Sequence, residues 1–226
     1  MPLDPNLVNR LVDKVKLNVG RVGDPTLNDY CIEYINNCRR TISNDKNYWF
    51  MRTDTILNTV VGQEYIVLPD DFKDDDIVSL ILNDRWIELT WVDPEDVRKT
   101  QAITQQGRPL YWYIDKMRLY LYPVPDQIYD LQLDYYRFLP DLEEDGDDTD
   151  ELLVKYPEVM EAYATAKAFR KLREWQDADQ AMNWYTQELG KLTVANADRE
   201  LPDEFQIRPR SDVNGSGIQR NRGRYR

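Results

Sequence analysis

The hydrophobic period changes twice along this chain, and that change limits the fold more than any count of residues. Leu7, Val8, Leu11, Val12, Val15 and Val19 recur at helical spacing, with Gly20 as the stop. Leu27, Cys31, Tyr34, Ile35, Cys38 and Ile42 trace a second stripe through about Ser43. Each run opens on an aspartate followed by proline, Asp4-Pro5 and Asp24-Pro25, as a helix cap does. From Tyr48 to about Phe138 the period falls to two. Helical spacing then returns in Val159, Tyr163, Ala166, Phe169 and Leu172. It continues in Ala178, Ala181, Met182, Tyr185, Leu189 and Leu192 after a break near Glu174 to Asp177. An α+β class follows: a helical bundle of two α-hairpins, interrupted by an antiparallel β insertion.

Turn chemistry divides the insertion. Gly62-Gln63 between Thr55–Val61 and Glu64–Leu68 predicts one hairpin, and Asn83-Asp84 between Ile77–Leu82 and Arg85–Thr90 predicts another. Asp93-Pro94-Glu95 starts a short helical turn to about Thr100. Three strands follow, Leu110–Ile114, Arg118–Tyr122 and Tyr129–Phe138, with Asp115-Lys116 joining the first two. In the last strand Tyr129, Leu131, Leu133 and Tyr135 face one way, while Asp130, Gln132 and Asp134 face the other. One sheet with a buried and a wet face is the expectation. The chain thus divides into a helical core (1–47 and 152–200), the β insertion (48–138), an acidic loop (139–151) and a C-terminal arm (201–226).

Composition removes much of the catalytic menu. The 226 residues contain no histidine, so Ser-His-Asp and Cys-His systems and imidazole-ligated zinc are excluded. Cys31 and Cys38 stand seven residues apart on one helix, about 10 Å along its axis, which is too far for a disulfide. Two small core residues in a reducing compartment is the plain reading. The N-terminus lacks the regions of a signal peptide and no run of 18 apolar residues occurs, so synthesis and folding in a cytoplasm, without a membrane, are expected.

Carboxylates are abundant: Asp70, Asp71, Asp74, Asp75 and Asp76 cluster, and residues 141–151 hold eight acids among eleven positions. A glycoside hydrolase needs one carboxyl in an apolar setting, which these polar turns do not provide. The acid-dense stretch from Asp145 to Glu151 matches no EF-hand spacing. No catalytic residue, metal site or cofactor is assigned. Tyr111, Trp112, Tyr113, Tyr120, Tyr122, Tyr129, Tyr135, Tyr136 and Phe138 fall within thirty residues. Alternation sends about half of them to the core. Tyr111, Tyr113, Tyr120 and Tyr122 are candidates for a tail or subunit interface, and a glycan platform is the alternative use.

The end of the chain differs in kind. From Ile207 onward there are six arginines, Arg208, Arg210, Arg220, Arg222, Arg224 and Arg226, against the single acid Asp212, a net of +5. With a total of −12, residues 1–206 therefore carry −17. So polar a segment cannot build its own core, and an extended arm that orders on a partner is expected. Nucleic acid and an acidic groove on another protein are both compatible destinations.

Three stretches carry a resemblance: Val61-Gly62-Gln63-Glu64-Tyr65-Ile66-Val67-Leu68-Pro69-Asp70-Asp71-Phe72, Gly107-Arg108-Pro109-Leu110-Tyr111, and Leu119-Tyr120-Leu121-Tyr122-Pro123-Val124-Pro125-Asp126. With Asn47-Tyr48-Trp49-Phe50, Leu133-Asp134-Tyr135-Tyr136 and Tyr156-Pro157-Glu158, this ordered set resembles the head-to-tail adaptor proteins of tailed bacteriophages over about residues 25–195. The resemblance implies a virion structural protein at the head-tail junction. It implies a ring of twelve subunits bound to the portal protein, a platform for tail nozzle or fibre proteins, and a channel that passes DNA without reading its sequence. It also implies a C-terminal arm reaching the portal. Choosing Arg208, Arg210, Arg220, Arg222, Arg224, Tyr225 and Arg226 as the anchors is an inference from charge. Cell-wall hydrolysis, assigned to some members of such families, finds no residue pattern here.

Overall fold

The computed structural model describes residues 7–99, 105–143 and 151–200. The elements follow the order helix, sheet, helix. Helix α1 (Leu7–Asn18) stops where the glycine predicts. Gly20 sits at φ +67°, its N–H donates to Leu17 O (3.0 Å), and the Arg21 N–H donates to Lys16 O (2.8 Å). Those paired bonds are a Schellman cap, which satisfies carbonyls the helix would otherwise orphan.

Helix α2 (Leu27–Asp45) begins two residues later than Asp24-Pro25 predicts. The Asp24 carboxylate still accepts the Thr26 N–H (2.9 Å), but the lead turn is tight, with Asn28 N–H bonded to Pro25 O. Hydrogen bonds from Thr26 hold the Asp24 carboxyl below its ordinary range. The Asp4-Pro5 cap lies outside the described residues.

After a 3-10 turn (Trp49–Met51), strand β1 (Arg52–Asn58) starts the sheets. It is followed by β2 (Tyr65–Val67), β3 (Phe72–Leu82), β4 (Arg85–Glu88) and β5 (Thr90–Trp91), then the short helix α3 (Pro94–Lys99). Strands β6 (Gln106–Gly107), β7 (Tyr111–Asp115), β8 (Arg118–Tyr122), β9 (Val124–Pro125) and β10 (Asp130–Arg137) complete the insertion. The single expected sheet is in fact two four-stranded sheets, ordered β1-β10-β3-β4 and β2-β8-β7-β5, with β6 and β9 paired apart from them.

The correction has a clear cause. Gly62 does make a turn (φ +76°), but β1 and β2 do not pair across it. β1 pairs with β10, from Arg52↔Tyr136 to Asn58↔Asp130, and β2 pairs with β8. The turn hands the chain from one sheet to the other. The Asn83-Asp84 hairpin forms as expected, with both residues at positive φ (51° and 59°). The β7–β8 turn is Lys116-Met117 (φ 47° and 59°), one residue beyond the predicted pair.

Inner faces of the two sheets share one core. Val78, Leu80, Leu131 and Leu133 from one sheet pack with Trp112, Leu119 and Leu121 from the other. The predicted stripe of β10 is buried, Tyr129, Leu131, Leu133 and Tyr135 all being 6% exposed or less. Burial of each such side chain is worth about 1.5–3 kcal/mol.

The helices enclose a second core. Helix α4 (Glu151–Lys155) precedes α5 (Pro157–Leu172), which begins at the predicted Pro157. Ala162, Ala164, Ala166 and Ala168 are all fully buried, so α5 is covered nearly all round. Their small side chains let α1, α2 and α6 (Trp175–Glu200) approach it. The break between α5 and α6 lies at Arg173 and Glu174, at the start of the predicted window, where Arg173 adopts φ +65°.

The chain returns from β10 to the helices through Leu139–Leu142, and here the acidic-loop expectation needs correction. Leu139 and Leu142 are buried in the helical core. Three polar residues of α2 hold this stretch. Ser43 Oγ accepts the Leu139 N–H (3.3 Å), and Arg39 donates twice to Pro140 O (3.2 and 2.9 Å). Asn36 exchanges both of its amide bonds with the Leu142 backbone (2.8 and 3.0 Å). Asp141 pairs outward with Arg40. Residues 144–150 of the acidic run lie outside the described residues.

Candidate interaction surface

The two-residue turn at Lys116-Met117 sets the register of β7 on β8: Tyr111↔Tyr122, Trp112↔Leu121, Tyr113↔Tyr120. Alternation then decides the faces. Trp112, Leu119 and Leu121 point into the sandwich and are at most 3% exposed. Tyr111, Tyr113, Tyr120 and Tyr122, the four candidates, are all brought together on the opposite face.

Their rings pair across the strands. Tyr113 and Tyr120 lie parallel at 4.8 Å with 2° between planes, and Tyr111 and Tyr122 stack at 6.2 Å. Each such pair contributes about 0.5–1.5 kcal/mol beyond the area it buries. Tyr65 of β2 extends the stack, 5.8 Å from Tyr120, and the Arg118 guanidinium covers its ring at 4.4 Å. Tyr65 and Arg118 join this face because β2 pairs with β8, and the glycine turn that favours a β1–β2 hairpin hides that pairing in the sequence. Period-two spacing of Tyr65 and Val67 was the available signal.

A hollow of about 250 Å³ opens on this face, lined by Glu64, Val97, Tyr113, Asp115, Tyr120 and Tyr122 among others. Its lining mixes tyrosines with two acidic residues. Tyr113 and Tyr120 each turn one ring face to the other.

The aspartate cluster does not converge on a site. Asp71 accepts the Tyr135 hydroxyl (2.9 Å), Asp74 accepts Asn47 (2.6 Å), and Asp76 pairs with Arg52 (2.7 Å). Burial raises the Asp75 pKa, with Asp74 adding to the effect. Each engaged carboxylate holds a strand or a junction in place. Among the described residues no group of three or more His, Cys, Asp or Glu could hold a metal ion. Cys31 and Cys38 are free and buried, and burial pushes the Cys31 thiol up to about 11 and Cys38 higher still. No helix among the described residues is long and apolar enough to cross a membrane. The arginine arm (Arg208, Arg210, Arg220, Arg222, Arg224, Tyr225, Arg226) lies outside the described residues.

The described residues thus form a mixed α and β chain with an ordered tyrosine face. Comparison with family models names the kind: the model described as SU10 adaptor protein matches residues 8–211, and the chain belongs to that family of bacteriophage head-to-tail adaptors. No curated protein matched the chain. Membership makes it a bacteriophage structural protein that associates with other virion components.

Proposed function

We propose that the chain is one subunit of a ring that joins the portal to the tail and lets DNA pass, with no catalytic duty. The observation that carries this reading is the family match over residues 8–211. The charge distribution supports it. Twelve bodies at −17 each carry on the order of −200 before screening, which confines their field to about 8 Å at physiological salt. Acidic walls repel phosphates and keep a passing duplex from sticking. The arm after about residue 201 docks on the portal through its arginines, and the β insertion turns its far end toward tail nozzle or fibre proteins. Subunits assemble on the portal, so the ring marks the head-tail junction of the virion after folding in the host cytoplasm.

Mass photometry of the chain alone and then mixed with its cognate portal ring tests this. The expected result is a monomer alone and a near-stoichiometric ring on the portal. Removing residues 207–226 should leave a folded monomer that no longer associates. Failure of the intact chain to associate at low and moderate salt overturns the ring reading, and unchanged binding by the shortened chain overturns the role of the arm.

A further inference from the structure

We propose that the tyrosine face is the seat of the chain's own Arg208-Pro209-Arg210 stretch, which folds back onto it before the subunit meets any partner. The face has the right chemistry. Glu64 and Asp115 border its hollow, and neither has an ion-pair partner among the described residues. Arginine forks match carboxylates and stack on aromatic rings. The chain already uses such stacking twice, with Arg118 over Tyr65 at 4.4 Å and Arg199 over Trp49 at 4.3 Å.

The described chain also ends beside the start of the β insertion. The last turns of α6 are tied to the root of β1. Asn196 accepts the Trp49 N–H (3.0 Å) and donates to Asn47 O (3.3 Å). From Glu200 to Arg208 the chain spans up to about 26 Å at full extension. That length is comparable to the rise of about 23 Å over the seven residues of β1. Pro209 favours the extended left-handed conformation that aromatic-lined grooves accept at low entropic cost. The family match runs through residue 211, so this stretch belongs to the shared chain, while Arg220 to Arg226 lie beyond it. Seating Arg208 and Arg210 leaves those four arginines presented.

The test uses the full chain with a nitroxide on Ser211→Cys. The buried, high-pKa thiols of Cys31 and Cys38 leave the introduced cysteine as the reactive one. Backbone amide signals of Glu64, Tyr65, Tyr113 and Tyr120 should broaden in the free chain. They should return in Arg208→Ala/Arg210→Ala, in Glu64→Gln/Asp115→Asn, and at high salt. Broadening that falls on the helices, spreads evenly, or survives Arg208→Ala/Arg210→Ala overturns the proposal. So does the same broadening in a mixture of isotope-labelled chains without nitroxide and unlabelled chains carrying it, which would place the contact between copies. The portal is absent from this experiment, so its failure and a failed portal titration are separate results.

Discussion

Asn36 is the most informative single residue to change, because it grips a backbone stretch more than a hundred positions away. Its side chain is 7% exposed, accepts the Leu142 N–H at 2.8 Å and donates to Leu142 O at 3.0 Å. Asn36→Ala removes both bonds and leaves two buried backbone groups unpaired, at about 1–3 kcal/mol each. A loss near 3 kcal/mol is therefore expected, which lowers Tm by about 6–12 °C in a chain of this length. Urea titration followed by tryptophan fluorescence gives the free energy, and hydrogen exchange at Leu142 gives the local effect. The Leu142 amide should be protected in the parent chain and exchange freely in the variant. Asn36→Asp is the sharper control, since it keeps the acceptor but aims an anionic oxygen at Leu142 O. That variant should be as damaged at neutral pH and recover as acid protonates the carboxyl and restores a donor. A change within about 0.5 kcal/mol for Asn36→Ala, the range of ordinary surface substitutions, refutes the reasoning.

Arg173→Gly should stabilise the chain by about 0.5–1 kcal/mol in the same titration, because an exposed arginine now occupies a left-handed conformation that glycine adopts without strain. Leu133→Ala, at a fully buried site between the sheets, should cost about 2–5 kcal/mol by urea titration. Tyr135 titrates at about 12, raised by burial and then by its bond to Asp71, against about 10 in an unfolded chain. The unfolded state thus loses its proton first, so this contribution is intact below pH 10 and lost between 10 and 12. Tyr135→Phe should flatten the alkaline fall of Tm across that window.

Elements whose partners are close in sequence were legible; those set by distant partners were not. The Gly20 stop, the Asn83-Asp84 hairpin and the alternation of β10 are decided within a few residues, and each forms as expected. The tyrosine face was readable for the same reason, since a two-residue turn sets its register. The pairing of β1 with β10 closes a loop of about seventy residues, and no local signal competes with the glycine turn that suggests β2 instead. Asn36, Arg39 and Ser43 look like a solvated edge of α2, because polar residues ordinarily lie outside. Their burial depends on carbonyls and amides that arrive from Leu139–Leu142. The arginine arm is legible as charge alone.

The pairing of β1 with β10 also sets how the molecule carries load. Both strands meet the helical core at the same end, with Arg52 opposite Tyr136. A pull between helices and sandwich therefore draws the two strands together, along their own axes, without prising them apart. Resistance falls to the ladder of β10 on β3, eight paired positions from Asp130↔Ile81 to Arg137↔Phe72. Ladder hydrogen bonds lie across the strands, so this direction shears them all at once and does not open them in turn. A subunit joined this way is stiff along the line from helices to sheet tip and yields more easily to a sideways force that peels β1 from the edge.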